Sequence, residues 1–216
     1  MAPTVVLLHG FATSTERTWR EPGWFDLLKE ASRRARGIDL LGHGEAAKPH
    51  EPERYDDLAG PVVQQMPVHA ADVVGYSLGA RVALEIAITH PDRVNRLVLG
   101  GVGRNLVTAR DGSLDDHTAR HFDLLMDAEG NDPHALRACL SRPRPPFTAE
   151  QLAQVRAPTL LVIGDQDFAG PPEPLAELLP DASSRVLPGI DHFGLPKQFE
   201  FIDAALEHID AIPSWD

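Results

Sequence analysis

The stretch "DVVGYSLGARVALEIA", residues 72–87, constrains the fold more than any other part of the chain. It begins with a short apolar run typical of a buried strand, and the part after Ser77 has the apolar spacing of a helix. Gly75 and Gly79 lie two residues to either side of Ser77. A serine between glycines at a junction of strand and helix predicts a very tight turn that lifts the hydroxyl clear of the sheet. A simpler interpretation is that the small residues only let the helix approach the strand.

Other apolar runs indicate that this strand has neighbours in a parallel sheet. Their apolarity is continuous rather than alternating, which predicts strands covered on both faces. The runs rich in Val, Leu and Ile are residues 4–8, 71–76, 96–99, 159–164 and 184–187. The polar run 34–39 predicts a further strand, and we place it at a sheet edge, where charged residues prevent pairing with other chains.

Helical segments lie between these strands, over residues 24–33, 78–90 and 197–209. In the last of them Phe199, Ile202, Leu206 and Ile209 recur at three- and four-residue steps, which predicts one apolar stripe. Strands that alternate with helices indicate an α/β fold. We therefore predict a mostly parallel sheet of about six strands, flanked by helices.

Residues 103–147 interrupt the alternation and predict a helical insertion. Its second helix is marked by Asp132 as cap and Pro133 at the first helical position, and Thr148 with Gln151 predicts a capping box on a short helix that follows. A chain of 216 residues is of a size for one core. We expect residues 1–216 to form a single domain that carries a lid at about 103–147.

Composition limits the partners of this chain. The formal net charge is −12 and the pI is near 5.2, so phosphate backbones and anionic bilayers are repelled. Apolar runs are too short to cross a bilayer, and the start of the chain lacks the features of a signal peptide. The one cysteine, Cys139, cannot form an internal disulfide. We expect a cytoplasmic protein that binds neither nucleic acid nor membrane.

A serine hydroxyl is a weak nucleophile unless a base accepts its proton and an acid orients that base. His192 is the favoured base among ten histidines, because it lies in a glycine-containing loop between the last apolar strand and the final helix. The acid is either Asp165 or Asp167, since both follow the end of strand 159–164. The order Ser, Asp, His along the chain fits a site built at strand ends.

Five segments together resemble the α/β-hydrolase superfamily of serine hydrolases. These are "LLHGF" at residues 7–11, "DLLGHGEAAKP" at 39–49, "GYSLG" at 75–79, "PTLLVIGDQD" at 158–167 and "GIDHF" at 189–193. The resemblance implies Ser77 as nucleophile, His192 as base and Asp167 as acid, with Asp165 as the alternative acid. It also implies an oxyanion hole formed by the N–H groups of Phe11 and Leu78.

Residues around these segments are candidates for the pocket, namely His9, Gly10, Tyr76 and Trp19, although core packing is the favoured role of Trp19. The loop "LLHGF" comes so early that the antiparallel hairpin usual at the start of the family is expected to be absent. The lid is shorter than in many relatives, which predicts an open and shallow site.

The expected function is hydrolysis of a carboxylic ester or related acyl compound, through an acyl-enzyme and without a cofactor. The substrate would be a small molecule. Alternatives within the superfamily are a C–C bond hydrolase and an eliminating synthase, and outside catalysis a ligand-binding receptor that retains the same three residues. His117 and His121 have the spacing of metal ligands on a helix, but no third ligand is near, so we expect a solvated helix face and no metal site.

Overall fold

A computed structural model describes residues 2–109 and 115–213 of the chain, without the side chain of His117. In these residues the strands are β1 (Val5–Leu8), β2 (Ala35–Ile38), β3 (Ala71–Tyr76), β4 (Val94–Gly100), β5 (Thr159–Gly164) and β6 (Ala182–Leu187). The α-helices are α1 (Trp24–Glu30), α2 (Ala59–Gln65), α3 (Leu78–Thr89), α4 (Asp116–Met126), α5 (Pro133–Ser141), α6 (Ala149–Leu152), α7 (Glu173–Ala176) and α8 (Phe199–His208).

The six strands form one sheet in the order β2-β1-β3-β4-β5-β6, and every pairing between them is parallel. The prediction of a mostly parallel sheet of about six strands is therefore confirmed, and β2 is an edge strand as predicted. No antiparallel hairpin occurs among the strands that the structure describes. The chain leaves β1 toward one edge and leaves β3 toward the other, so the carboxyl ends of these two strands border the crevice where open α/β sheets bind ligands.

Each face of the sheet carries its own apolar core. Along β1, Val6 and Leu8 belong to one core and Val5 and Leu7 to the other, because successive side chains of a strand point to opposite faces. The first core is covered by α2, α3 and α5, and the second by α1 and α8. Burial on both faces explains why the central strands are apolar without interruption.

The insertion consists of α4 and α5, as predicted, although residues 110–114 lie outside the described part of the chain. Asp132 caps α5 by accepting the N–H groups of His134 and Ala135. Thr148 and Gln151 form the predicted capping box at α6. Capping signals therefore located α5 and α6 correctly, whereas α4 is capped by Asp115, whose side chain accepts the Thr118 N–H.

Two local predictions were wrong. Strand β6 is mostly exposed rather than covered on both faces, because it pairs only with β5 at the second edge of the sheet. On α8 the side chain of Phe199 is 79% exposed, whereas Phe201 is fully buried. Phe199 is the first residue of the helix, and the buried face of α8 begins two residues later.

Every helix within residues 2–109 and 115–213 is too short or too polar to cross a bilayer.

Candidate active site

Ser77 lies in the predicted tight turn between β3 and α3. Its backbone has φ 53° and ψ −112°, a conformation that side-chain-bearing residues rarely adopt. The flanking glycines are required by space, since a Cβ added to Gly75 would lie 2.5 Å from the carbonyl oxygen of Gly79, and one added to Gly79 would overlap the carbonyl oxygen of Leu8. The Ser77 N–H donates to the Gly100 carbonyl oxygen at 2.8 Å. The turn is strained and is held in place by its neighbours.

His192 reaches Ser77 from the loop after β6. Its Nε2 lies 2.8 Å from the Ser77 Oγ, and the His192 side chain is almost fully buried. Gly101, with φ +67°, leaves room for this approach, because a Cβ there would lie 3.2 Å from the His192 Cε1. The Tyr76 hydroxyl donates to the His192 carbonyl oxygen at 2.7 Å, and burial raises the pKa of this phenol well above its ordinary value. The phenol thus stays protonated and holds the histidine loop.

The two candidate acids have different partners. Asp167 places its Oδ2 and Oδ1 at 2.8 and 3.0 Å from the His192 Nδ1, and its Oδ1 also accepts the Ala169 N–H at 2.8 Å. Asp165 is exposed and accepts the Gly189 N–H at 2.7 Å. The structure therefore aligns Asp167, His192 and Ser77 along one line of hydrogen bonds, and it places Asp165 as a brace between two loops.

Two backbone N–H groups are candidates for an oxyanion hole: that of Leu78, the residue after Ser77, and that of Phe11, which lines the same cleft as Ser77. Phe11 follows β1, and Leu78 is the first residue of α3. Neither N–H has a hydrogen-bond acceptor among the residues described. Gly10 packs against Tyr76 beside this position, since a Cβ there would lie 2.8 Å from the Tyr76 ring. Unpaired donors beside a helix N-terminus are suited to stabilise an oxyanion.

A cleft of about 450 Å³ opens above Ser77. Residues of α4 form one wall, and the loop that carries His192 forms another. Its lining includes Phe11, Thr13, Arg17, Thr18, Tyr76, Ser77, His121, Phe122, Leu125, Asp191, His192, Phe193, Pro196 and Lys197. The lining is mainly aromatic and aliphatic near Ser77, which suits an apolar substrate portion.

A family model described as the alpha/beta hydrolase fold matches residues 3–133, more than half of the chain. The chain belongs to the alpha/beta hydrolase family. Its fold resembles the crystal structure of an enol-lactonase from Burkholderia xenovorans, with a TM-score of 0.76 and 20% identity, covering 97% of this chain and 92% of that one. The resemblance to this superfamily that the motifs indicated is confirmed.

Two curated relatives of this alpha/beta hydrolase differ in what they are named for. A pimeloyl-[acyl-carrier protein] methyl ester esterase from Nitrosomonas europaea is 27% identical over 91% of this chain and 92% of its own length. A putative 2-succinyl-6-hydroxy-2,4-cyclohexadiene-1-carboxylate synthase from Bacillus subtilis is 38% identical, but over only 48% of this chain and 38% of its own length. The family match and the esterase relative bear out the prediction of an alpha/beta hydrolase enzyme.

Three of the predicted pocket residues have other positions in this alpha/beta hydrolase. Trp19 is fully buried in the core, where its ring meets Trp24 edge to face at 4.9 Å between centroids. His9 is also fully buried and accepts the Leu40 N–H at 3.0 Å through Nε2, so it joins two loops behind the site. Gly10 packs on Tyr76 and does not line the cleft. Of the four candidates, Tyr76 alone lines it.

Several cleft residues were not predicted from the sequence. His121 was expected on a solvated helix face, yet its ring stacks on Phe193 at 3.7 Å between centroids and lines the cleft. Phe122 packs against Phe11, Phe168 and Phe193. Phe193 follows His192 directly, so proximity in the chain was a usable signal for it. The sequence held no comparable signal for Arg17 and Lys197, because they reach the cleft only through tertiary packing.

Behind the site, His9 and His43 form a buried pair of rings 5.2 Å apart. Burial lowers the pKa of His9, and burial together with the neighbouring His9 lowers the pKa of His43 to about 3. The Nδ1 of His43 lies 3.0 Å from the Leu41 carbonyl oxygen, while its Nε2 has no partner among the described residues. Both rings are therefore neutral in the folded protein near neutral pH.

This pair predicts a loss of stability in mild acid. Unfolded His43 gains a proton below its ordinary pKa of about 6.5, whereas the folded residue stays neutral down to about pH 3, so protonation favours the unfolded chain between these values. Between about pH 8 and about pH 5 we expect His43 alone to remove about 2 kcal/mol from the free energy of unfolding. Urea unfolding at both pH values would measure this loss.

The control for this prediction is a matched pair of variants. His43→Asn should flatten the dependence of the free energy of unfolding on pH, and His69→Asn should not, because His69 is exposed. Equal pH dependence in the wild-type and His43→Asn proteins would contradict the prediction.

Proposed function

We propose that this chain hydrolyses carboxylic esters, or closely related acyl compounds, through an acyl-enzyme formed on Ser77. The observation that carries the proposal is the 2.8 Å contact between the His192 Nε2 and the Ser77 Oγ, with Asp167 on the opposite nitrogen of the same ring. A serine becomes a nucleophile when a base lies within hydrogen-bond reach and a third group orients that base. Both conditions are met by residues that lie far from Ser77 in the chain.

In the first step, the Ser77 oxygen attacks the ester carbonyl carbon while the His192 Nε2 takes the hydroxyl proton. Asp167 accepts a hydrogen bond from the His192 Nδ1–H, which keeps Nε2 free of a proton beforehand and stabilises the imidazolium that forms. The N–H groups of Phe11 and Leu78 donate to the oxyanion of the tetrahedral intermediate. His192 then protonates the departing alkoxide, and an acyl ester of Ser77 remains.

In the second step, water attacks the acyl ester with His192 again as the base. The second tetrahedral intermediate uses the same two N–H donors, and its collapse returns the proton to Ser77 and releases the carboxylic acid. The reaction consumes one water and yields one acid and one alcohol. No metal ion or cofactor takes part in any step of this proposal.

Ester hydrolysis is favoured over the alternatives by the relative that matches almost the whole chain, which is named as a methyl ester esterase. The synthase relative supports an eliminating activity as the second candidate, but it matches less than half of this chain. A panel of p-nitrophenyl esters of short to long acyl chains, run beside a vinylogous diketone, separates ester hydrolysis from C–C cleavage. Turnover of the diketone without turnover of any ester would contradict the proposal.

The lid helix α4 is expected to set the acyl-chain preference. Phe122 lines the cleft and contacts the aromatic ring of Phe11, so it offers apolar surface to the substrate. Replacing Phe122 with alanine should lower the ratio of kcat/KM for long-chain esters to kcat/KM for acetate esters by about tenfold. The reason is that only the longer chains lose buried apolar contact. The measurement is kcat/KM across the p-nitrophenyl series.

Leu124→Ala is the matched control for the lid, since Leu124 lies on the same helix but is 73% exposed and does not line the cleft. It should leave the series unchanged. If Phe122→Ala lowered kcat/KM for all esters equally in a folded protein, the role of Phe122 would instead be to support Phe11 beside Ser77.

A further inference from the structure

Two cations lie at the mouth of the cleft although the chain as a whole is strongly acidic. Arg17 and Lys197, which we call the cationic pair, both line the cleft that contains Ser77. Asp191 is the one carboxylate among the described lining residues. The described lining residues therefore carry more positive than negative charge, whereas the chain carries a formal net charge of −12. General charge composition does not explain this placement.

The fold brings the cationic pair together from distant parts of the sequence. Arg17 lies on a π-helical turn, Glu16–Arg20, and Lys197 lies on a 3₁₀ turn, Leu195–Lys197. These two turns contact each other. The second turn is held by a hydrogen bond from α1, in which the Trp24 indole N–H donates to the Pro196 carbonyl oxygen at 3.2 Å. Two turns in contact thus bring both cations to the same cleft.

Among the described residues, no acidic side chain neutralises either member of the cationic pair. Within residues 2–109 and 115–213, no carboxylate lies at ion-pair distance from Arg17 or Lys197. Glu16, the acidic neighbour of Arg17, pairs instead with Arg20 at 3.0 Å. The Arg17 guanidinium donates to the Glu129 carbonyl oxygen beyond α4, which orients it without cancelling its charge.

Carboxylate and phosphate oxygens are the groups that such a pair recognises. Arginine offers a planar fork of donors and lysine a compact positive charge, and a partly enclosed cleft strengthens both interactions relative to bulk water. We propose that the cationic pair binds an anionic group that the ester substrate carries at some distance from its scissile carbonyl. This inference rests on the ester hydrolysis proposed above and names Arg17 and Lys197 as its specificity-determining residues.

The test compares anionic esters with neutral esters of similar shape. For an anion on the acyl side the pair is the p-nitrophenyl half-ester of glutaric acid and p-nitrophenyl pentanoate. For an anion on the alcohol side it is p-carboxyphenyl acetate and p-carbamoylphenyl acetate. 4-Acetoxyphenyl phosphate, which keeps the acetate ester and carries a phosphate in place of the carboxylate, would separate carboxylate from phosphate recognition. The quantity measured is the ratio of kcat/KM between the anionic and the neutral member of each pair.

Arg17→Gln is expected to lower this ratio about tenfold in one of the pairs, and Lys197→Gln about threefold, since Lys197 is exposed and its interaction is weakened by solvent. Arg17→Lys should retain part of the preference. Arg20→Gln is the matched control, because Arg20 lies on the same turn but pairs with Glu16 and covers the Phe25 ring. Salt at about 1 M should reduce the ratio of the wild-type enzyme and leave that of Arg17→Gln nearly unchanged.

Binding measured without turnover separates this inference from the proposed function. Calorimetric titration of the Ser77→Ala protein with glutaric acid monomethyl ester and with methyl pentanoate should show tighter binding of the anion, and adding Arg17→Gln should remove the difference. Anion preference in binding without hydrolysis of any ester would support the cationic pair and overturn the proposed function. A different result would overturn the inference alone. In that case the enzyme would hydrolyse neutral esters but would show no Arg17-dependent preference for anions, either in kcat/KM or in binding.

Discussion

Replacing Ser77 with alanine is expected to lower kcat for ester hydrolysis by about 10⁵- to 10⁶-fold, since loss of a serine nucleophile has effects of this size in enzymes that use the same three residues. The proposed acyl-enzyme forms on the Ser77 oxygen, so no other group can replace it. Alanine keeps the Cβ of serine and therefore occupies the strained turn without a new clash. The melting temperature should change little, so the loss of kcat would come from the chemical step and not from unfolding.

A fluorophosphonate probe adds a direct readout of the same residue. It should label the folded wild-type protein at Ser77, and labelling should vanish in Ser77→Ala. Ser32→Ala is the matched control, because Ser32 also has a positive φ, 57°, but is exposed outside the cleft. Failure of the probe to label Ser77 in folded protein would overturn the serine-hydrolase proposal and favour the ligand-binding receptor.

The second large effect is expected at Asp167. Asparagine at this position can still accept the Ala169 N–H through its amide oxygen, but it then presents an NH₂ group to the His192 Nδ1. The imidazole would then carry its proton on Nε2, and this nitrogen could no longer accept the proton of Ser77. In the serine-protease example of this change kcat fell about 10⁴-fold, and we expect a loss of similar size here.

Asp165→Asn provides the comparison, since it alters the neighbouring carboxylate without touching His192. Asn can also accept the Gly189 N–H, so we expect a change in the free energy of unfolding of at most about 1 kcal/mol and nearly normal turnover. Melting temperature and ester turnover should be measured for both variants. Nearly normal turnover in Asp167→Asn, together with a folded but inactive Asp165→Asn, would reverse the assignment of the acid.

The two acid candidates illustrate where sequence reasoning ends. Both follow strand 159–164, and their chemistry is identical, so the residues alone left the choice open. The family resemblance favoured Asp167. In the structure the carboxylate of Asp167 lies against the His192 Nδ1, while that of Asp165 accepts the Gly189 N–H. Which of two nearby carboxylates faces a loop from another strand depends on how that loop packs.

Trp19 and Phe199 show the same limit for apolar residues. Periodicity indicates that a side chain is apolar and on which helix it lies, but it does not reveal what covers the helix. Trp19 lies on the same turn as Arg17 and is fully buried, as the favoured core-packing role predicted, whereas Phe199 is exposed where the final helix begins. Packing of distant segments decided both positions.

The sequence by itself determined the α/β alternation, the edge position of strand β2, the strained turn at Ser77 and the order of the three candidate catalytic residues. These features depend on local causes, namely side-chain periodicity, the space that glycine leaves and the caps of helices. The tertiary structure alone decided which carboxylate lies against His192, which aromatic rings line the cleft, and that Arg17 and Lys197 line the same cleft. Such contacts join residues from different elements of the fold, and they exist only after the sheet and its covering helices have packed.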